Sequence, residues 1–471
     1  MKINKLLKLN LAFILFFAVL FSSCEKWIDT DINISPNDPN DVPMKLLIPS
    51  IQANMAFSLE GNDIVRPTNI WLQYYNGWAR QSFSQARYVF KPSDINNLWS
   101  TIYSSIIMDI HQVLIKAEET KSPYYEGVAK VCLAFTLGTA TDVWGDIPYS
   151  ESMQGDLNLS PKYDTQAEIY ADIQTILDEA ITALSKPESE NVVQLENDLI
   201  YNGDLSKWIK AAYSLKARYA LNLSKVNGNQ AYTDALAYAA NGFTSNADNF
   251  AFKFDETSNS PLYMFMDDRG DINMASTFIN MLKADGDERI FVYSSDGSSS
   301  VGSEPGTDVN DGIAKPGDYA AAKDASSFFM TYAELKFIQA EALLATGDAT
   351  NAYTAYLDGA VASNLSALSV DPSYDGLTET DIQSWTWYTV ISVGANNLTL
   401  ELIMRQKYIA GFNTVQPYVD YRRTGYPVLT RATGATNDIP VRFPYAQSEL
   451  DYNANVPQNV SLYDKLWWDK D

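Results

Sequence analysis

The sequence predicts an all-α protein, a scaffold of tetratricopeptide-like helical hairpins that carries long irregular loops. Three observations lead there. Apolar residues recur at intervals of three and four along most of the chain, the period of a helix with one buried face. Residues 331–345 and 350–366 read as two helices broken by "TGD", with small residues in "AEALLATGDATNAYTAYLDGAVAS" where antiparallel helices must approach closely. Residues 243–325 and 413–460 are instead crowded with Gly, Ser, Asp, Pro, Arg and Tyr, and they read as loops rather than helices.

Taken in order, the chain opens with "MKINKLLKLNLAFILFFAVLFSSC". Lys2, Lys5 and Lys8 form a positive start, residues 11–21 an unbroken apolar run, and Ser22 and Ser23 a small-residue site before Cys24. This is the layout of a secretory signal. The apolar run falls short of the ~20 residues that a spanning helix needs. A bacterial lipoprotein signal has the same layout with a cysteine directly after the cut, although Phe21 stands where Leu or Val is commoner. We therefore expect residues 1–23 to be a lipoprotein signal and Cys24 to be acylated. Each buried methylene contributes about 0.8 kcal/mol, so two or three acyl chains hold a protein on a membrane. An ordinary signal ahead of an incidental cysteine is the other reading. Residues 24–43, rich in Asn, Asp and Pro, read as a tether. Its "DTDIN" resembles the start of a calcium loop but lacks the glycine and glutamate such a loop requires.

From residue 44 to 471 helical patterns dominate, as one large domain or two intimately packed ones. In 97–119 the residues Trp99, Tyr103, Ile106, Ile110, Val113 and Ala117 form one stripe. Residues 165–185 begin with Thr165 and Glu168, the spacing of a capping box. Residues 204–226 carry a stripe through Trp208, Ala212, Leu215 and Tyr219. No strict 34-residue period runs through the chain. Helix pairs of this kind cannot bury both faces alone, so they should stack into one right-handed array. Loops of the length of 243–325 and 413–460 are where a ligand surface is built on such a scaffold.

Composition excludes several chemistries. The chain has 34 basic and 58 acidic residues. Three of its lysines fall in the signal, so the mature chain carries a formal charge of −27. Such a surface repels nucleic acid and anionic headgroups. His111 is the single histidine and lies beside an apolar stripe, which favours a structural role. No P-loop, G-x-G-x-x-G or G-x-S-x-G element is present, and no cofactor is expected. With Cys24 acylated, Cys132 has no partner; it reads as a small buried apolar residue. A glycosidase needs two suitably spaced carboxylates alone, so a helical-hairpin glycoside hydrolase remains the alternative.

Five stretches in order resemble the SusD/RagB family of outer-membrane nutrient-binding lipoproteins of Bacteroidota. They are Cys24 with "DTDINISPNDPNDVPMKLLIPSI", then "TDVWGDIPYSES" (141–152), "WIKAAYSLKARYALNLSKV" (208–226) and "MTYAELKFIQAEALLATGD" (330–348). The last runs through "ELIMRQKYIAGF", "DYRRTGYP" and "VRFPYAQSELDYNAN". The resemblance implies a non-enzymatic lipoprotein on the cell exterior that binds oligosaccharides, or in some cases peptides. It implies delivery to a SusC-type TonB-dependent transporter, met by the tetratricopeptide-like face, with ligand bound on the opposite, loop-rich face. The family transfers no ligand-contact motif residue by residue.

Sugar-binding surfaces need aromatic faces backed by polar groups. "NIWLQYYNGWARQ" offers Trp71, Tyr74, Tyr75 and Trp78 beside Asn76 and Arg80. "SPLYMFMDDRGDIN" offers Tyr263, Asp267, Asp268 and Arg269. "IQSWTWYTV" offers Trp385 and Trp387, which share a face if that stretch is extended, and these two rank first. Positions 71, 74, 75 and 78 also fit the core stripe of a helix, and every tryptophan here has a core reading.

Overall fold

Helix α1 (Met44–Asn54) begins the described part of the chain, residues 42–469 of a computed structural model. The expected signal, Cys24 and all but the last two residues of the expected tether lie outside the described residues. The main helices that follow are α2 (Met108–Thr120), α3 (Pro123–Trp144), α4 (Gln166–Leu184), α5 (Leu205–Asn222), α6 (Asn229–Ala239), α7 (Tyr332–Ala345), α8 (Ala349–Leu368), α9 (Leu400–Ala410) and α10 (Gln416–Thr424). From α1 to α8 each packs on the next, and α9 closes against both α7 and α8. The fold is the expected helical-hairpin scaffold. No helix among the described residues is long and apolar enough to cross a membrane.

Local chemistry explains where these helices start and how closely they meet. Thr165 and Glu168 form the expected capping box at the start of α4. Asp204 caps α5 and Asp348 caps α8 by accepting backbone N–H groups of the first turn. At the centre lies α3, buried on every side except at Glu126 and Lys130. Such a helix is apolar all round because neighbours cover all its faces. Close approach needs glycine. A Cβ on Gly138 would stand 2.2 Å from the Tyr219 hydroxyl of α5, and one on Gly127 2.4 Å from Leu184 Cγ of α4. In the α7–α8 hairpin Gly359 serves the same end, its Cβ position lying 3.1 Å from Lys336 Cβ. Cys132 is a free, buried thiol inside α3, as composition suggested.

The loop-like segments are more ordered than their composition implies. Within 243–325 lie helices Pro261–Asp268 and Ser276–Asp285, and the segment also supplies short strands. Strand β1 (Tyr75–Gly77) pairs antiparallel with β3 (Ile272–Met274), in the register Tyr75↔Met274, Asn76↔Asn273 and Gly77↔Ile272. Strand β2 (Phe250–Phe252) pairs with β4 (Ser327–Met330). Strands of three or four residues are too short to show a period, which is why the sequence hides them. Residues 413–460 likewise contain α10 and a helix Gln447–Tyr452. The predicted stripe of 97–119 is buried except at half-buried Tyr103, and the helix carries a π-turn at Thr101–Ile107.

An ionic network ties the later helices to the earlier ones. Arg218 of α5 makes a bidentate pair with Glu334 of α7. Arg423 of α10 pairs in the same way with Glu341 of α7 and also reaches Asp420, which Lys407 of α9 holds from the other side. Arg422 donates instead to the backbone carbonyls of Asp142 and Val441. The two arginines and the acid of "DYRRTGYP" thus lie on a helix and anchor it to its neighbours. Trp144 is fully buried, its indole N–H donating to the Pro444 carbonyl.

Candidate functional site

Antiparallel pairing of β1 with β3 joins two segments that are far apart in the sequence. At the end of β1 the Trp78 N–H donates to the Asp271 carbonyl at 3.0 Å, and its indole Nε1 donates to the Gly270 carbonyl at 2.9 Å. Gly77 is required here, because a Cβ would lie 1.9 Å from the Ser82 carbonyl oxygen. The Trp78 ring stays half-buried at the surface. Asp271 behind it is almost wholly covered, its side chain 1% exposed, and it receives two guanidinium groups. Arg80 Nη1 lies 2.8 Å from Asp271 Oδ1, and Arg269 Nη2 lies 2.9 Å from Asp271 Oδ2. These two side chains remain 63% and 40% exposed.

An irregular stretch farther along the chain, beyond the helix Ser276–Asp285, completes the corner. Lys315 Nζ lies 5.4 Å from the centroid of the Trp78 ring and is held by the side chain of Asn310. Burial lowers the Lys315 amine below the usual lysine range. Asn310 is in turn fixed over β3, where Asn273 Nδ2 donates to the Val309 carbonyl at 2.9 Å. Phe265, on the helix before β3, lies under the guanidinium groups of Arg66 and Arg269. On the same helix Tyr263 is half-buried, with Lys323 Nζ 5.7 Å from its ring centroid, and Asp267 and Asp268 are exposed.

This corner presents an indole face, several unspent N–H donors and an ammonium group. A sugar ring can lay its C–H face on the indole while its hydroxyls accept from guanidinium and ammonium donors. Of the residues expected from sequence, Trp78 and Arg269 are brought together here, with Arg80 beside them. Asp271 and Lys315 were not singled out. Asp271 stood inside the quoted "RGDIN", where an acid flanked by arginine was a readable signal; nothing local marks Lys315.

Burial removes three of the other expected contacts, Trp71, Tyr74 and Trp387. Trp71 is wholly buried among Phe90, Tyr418 and Phe443, with Nε1 donating to the Gln85 carbonyl. Tyr74 is equally buried, stacked 4.1 Å from Tyr408 with its hydroxyl on the Tyr408 carbonyl. Both sit in the core because the helix Val65–Trp71 and the turn between it and β1 direct these rings inward; their stripe spans a helix, a turn and a strand rather than one helix. The segment with Trp385 and Trp387 is not extended. Trp385 precedes the short helix Thr386–Ile391, so alternation does not place the two rings on one face. Trp387 is 1% exposed beneath Arg289, and half-buried Trp385 packs on the same apolar cluster, formed with Phe337, Tyr356 and Ile403 of the α7–α9 unit. No cluster of three or more His, Cys, Asp or Glu suited to a metal ion occurs among the described residues.

Comparison with known proteins follows the same lines. The SusD-like family model described as "starch-binding associating with outer membrane" matches residues 36–446. A SusD/RagB family protein of Bacteroides thetaiotaomicron VPI-5482 is similar in structure, with a TM-score of 0.77 at 26% identity over 91% of this chain and 99% of that one. A SusD homolog of Bacteroides fragilis NCTC 9343 shares the fold at a TM-score of 0.75 and 24% identity, covering 91% and 100% of the two chains. A chitin-binding SusD homolog from Flavobacterium johnsoniae does so at 0.71 and 21%, covering 90% and 97%. No curated protein matches the chain. With the family model covering most of its length and the helical scaffold shared throughout, this chain belongs to the SusD-like family.

Proposed function

We propose that this protein is a cell-surface nutrient-binding lipoprotein of the outer membrane. It captures oligosaccharides, or peptides, without cleaving them and delivers them to a SusC-type TonB-dependent transporter. Acyl chains on Cys24 and the tether to residue 43 attach it to the membrane, facing the exterior. The observation that carries the binding role is the corner in which Trp78, Arg80, Arg269 and Lys315 meet over buried Asp271. Trp78 is the stacking platform and the three cations are the donors. Tyr263 and Asp267, on the helix that leads into Arg269, extend the same surface. The family's description as starch-binding and the chitin-binding relative support a glycan as the ligand class.

The test is a glycan and peptide array with the mature protein, followed by titration of the best ligand. Trp78→Ala should weaken binding by at least about tenfold, the loss of one stacked ring, and Trp385→Ala should leave it unchanged. Equal affinity of Trp78→Ala and the parent would remove the corner from the reading. New reducing ends appearing during incubation would replace the whole reading with the hydrolase.

A further inference from the structure

A groove of about 490 Å³ lies along the helical segment that begins at Asn96, and it shares no lining residue with the Trp78 corner. Its base is aromatic. Trp99 and Tyr103 are in contact at 4.9 Å between ring centroids, and the Tyr103 hydroxyl is spent on the Pro148 carbonyl. Above them Asn97, Ser100 and Ser104 follow one another at intervals of three and four, all exposed, with side chains that make no hydrogen bond among the described residues. The helix is distorted at this place by the π-turn Thr101–Ile107, a feature concentrated at functional sites.

The opposite wall is the helix Gln447–Tyr452. Glu449 Oε2 accepts from the Tyr163 hydroxyl at 2.8 Å and from Asn453 Nδ2 at 3.1 Å, which fixes the carboxylate and leaves Oε1 without a partner among the described residues. Tyr452 lies three residues beyond Glu449 and four beyond Ser448, both of which line the groove, so it shares their helix face. It is 83% exposed, the most open aromatic ring among the large exposed side chains. Among the described residues no lysine or arginine lines the groove.

Unspent amide, hydroxyl and carboxylate groups beside an open phenol ring suit a neutral polyhydroxylated ligand. The fixed carboxylate opposes an anion, and the small volume opposes a folded partner. We infer that this groove is a second binding site, for a neutral oligosaccharide. The inference rests on the reading of the chain as a glycan-binding protein but not on the Trp78 corner. Two sites on one chain would engage a long polysaccharide together, with avidity neither has alone.

The experiment is calorimetric titration of the mature protein with maltohexaose and chitohexaose. It uses Trp78→Ala, Ser100→Trp, Tyr452→Ala and the Trp78→Ala/Ser100→Trp double variant, each checked for an unchanged thermal transition. Ser100 is exposed on its helix, so a tryptophan there fills the groove without entering the core. Residual saturable binding is expected in Trp78→Ala and none in the double variant, and Tyr452→Ala should weaken the groove's share of binding about fivefold. Loss of binding in Ser100→Trp with full affinity in Trp78→Ala would support the groove and sink the corner instead. Complete loss in Trp78→Ala alone, binding that persists in the double variant, or no binding of either hexasaccharide by the parent would overturn the inference.

Discussion

Two clusters of arginine on carboxylate stand at opposite extremes of burial in this molecule. Arg423 and Glu341 are each 2% exposed, and neighbouring Asp420 is shared between Arg423 and Lys407. At the Trp78 corner the carboxylate is just as deep, but its two arginines stand largely in water. In this core cluster Arg423, Glu341, Asp420 and Lys407 are all paired, since an unpaired buried ion costs several kcal/mol. At the corner Asp271 fixes one edge of each guanidinium, while Arg80 Nε and Nη2 keep no partner among the described residues. The same pair of side chains is therefore a staple in one place and a presented set of donors in the other. The difference is solvent access.

The largest effect that could break this comparison lies in the core. Glu341→Ala should destabilise the fold by about 3–5 kcal/mol by leaving Arg423 buried without its bidentate partner, measured by chemical denaturation. A loss under about 1 kcal/mol would mean that the network is not a staple.

Next comes a buried carboxylate that lacks such a partner. Burial lifts the Asp142 carboxyl to about 6, against the Tyr170 hydroxyl and Arg422, which pull it down. A raised acid gives its full stability below its ordinary range and loses it as pH rises through the folded value. Asp142 should thus cost about 3 kcal/mol between pH 4 and 6. Asp420 behaves oppositely: burial pushes it up, but Lys407 and Arg423 outweigh this and hold it below the usual range. Its contribution is lost as pH falls below about 4. Stability of Asp142→Asn minus the parent, followed from pH 4 to 6, should rise with pH; a flat difference would contradict the assignment.

At the corner, Trp78→Ala should reduce ligand affinity by about tenfold, near 1.4 kcal/mol, without moving the thermal transition by more than a few degrees. The smallest effect is on stability at Arg80. Arg80→Ala should cost less than about 1 kcal/mol, as an exposed ion pair does, yet weaken binding. A stability loss as large as that of Glu341→Ala would show that the corner is a staple too.

Much of the scaffold was legible in sequence. The capping box at Thr165, the "TGD" break before α8 and the stripe through Trp208 and Tyr219 are local signals, and each marks the element it suggested. The candidate site was legible in parts. Trp78 and Arg269 were both named, but as members of separate segments and behind Trp385 and Trp387. Sequence gives no basis for ranking them, because an aromatic residue in a polar stretch looks the same whether it lies against solvent or against a neighbouring helix. Trp387 under Arg289 and Trp71 against Phe443 are of the second kind.

By itself the sequence determined the helical period, the caps and breaks, the acidic character and the resemblance to a family. All of these depend on residues within a few positions of one another or on composition. Which aromatic rings reach the surface, the pairing of Gly77 with Ile272, and the convergence of Arg80, Arg269 and Lys315 on one carboxylate and one indole were decided by tertiary structure. Burial and long-range contact arise from how the helices pack, and no local spacing in the chain encodes them.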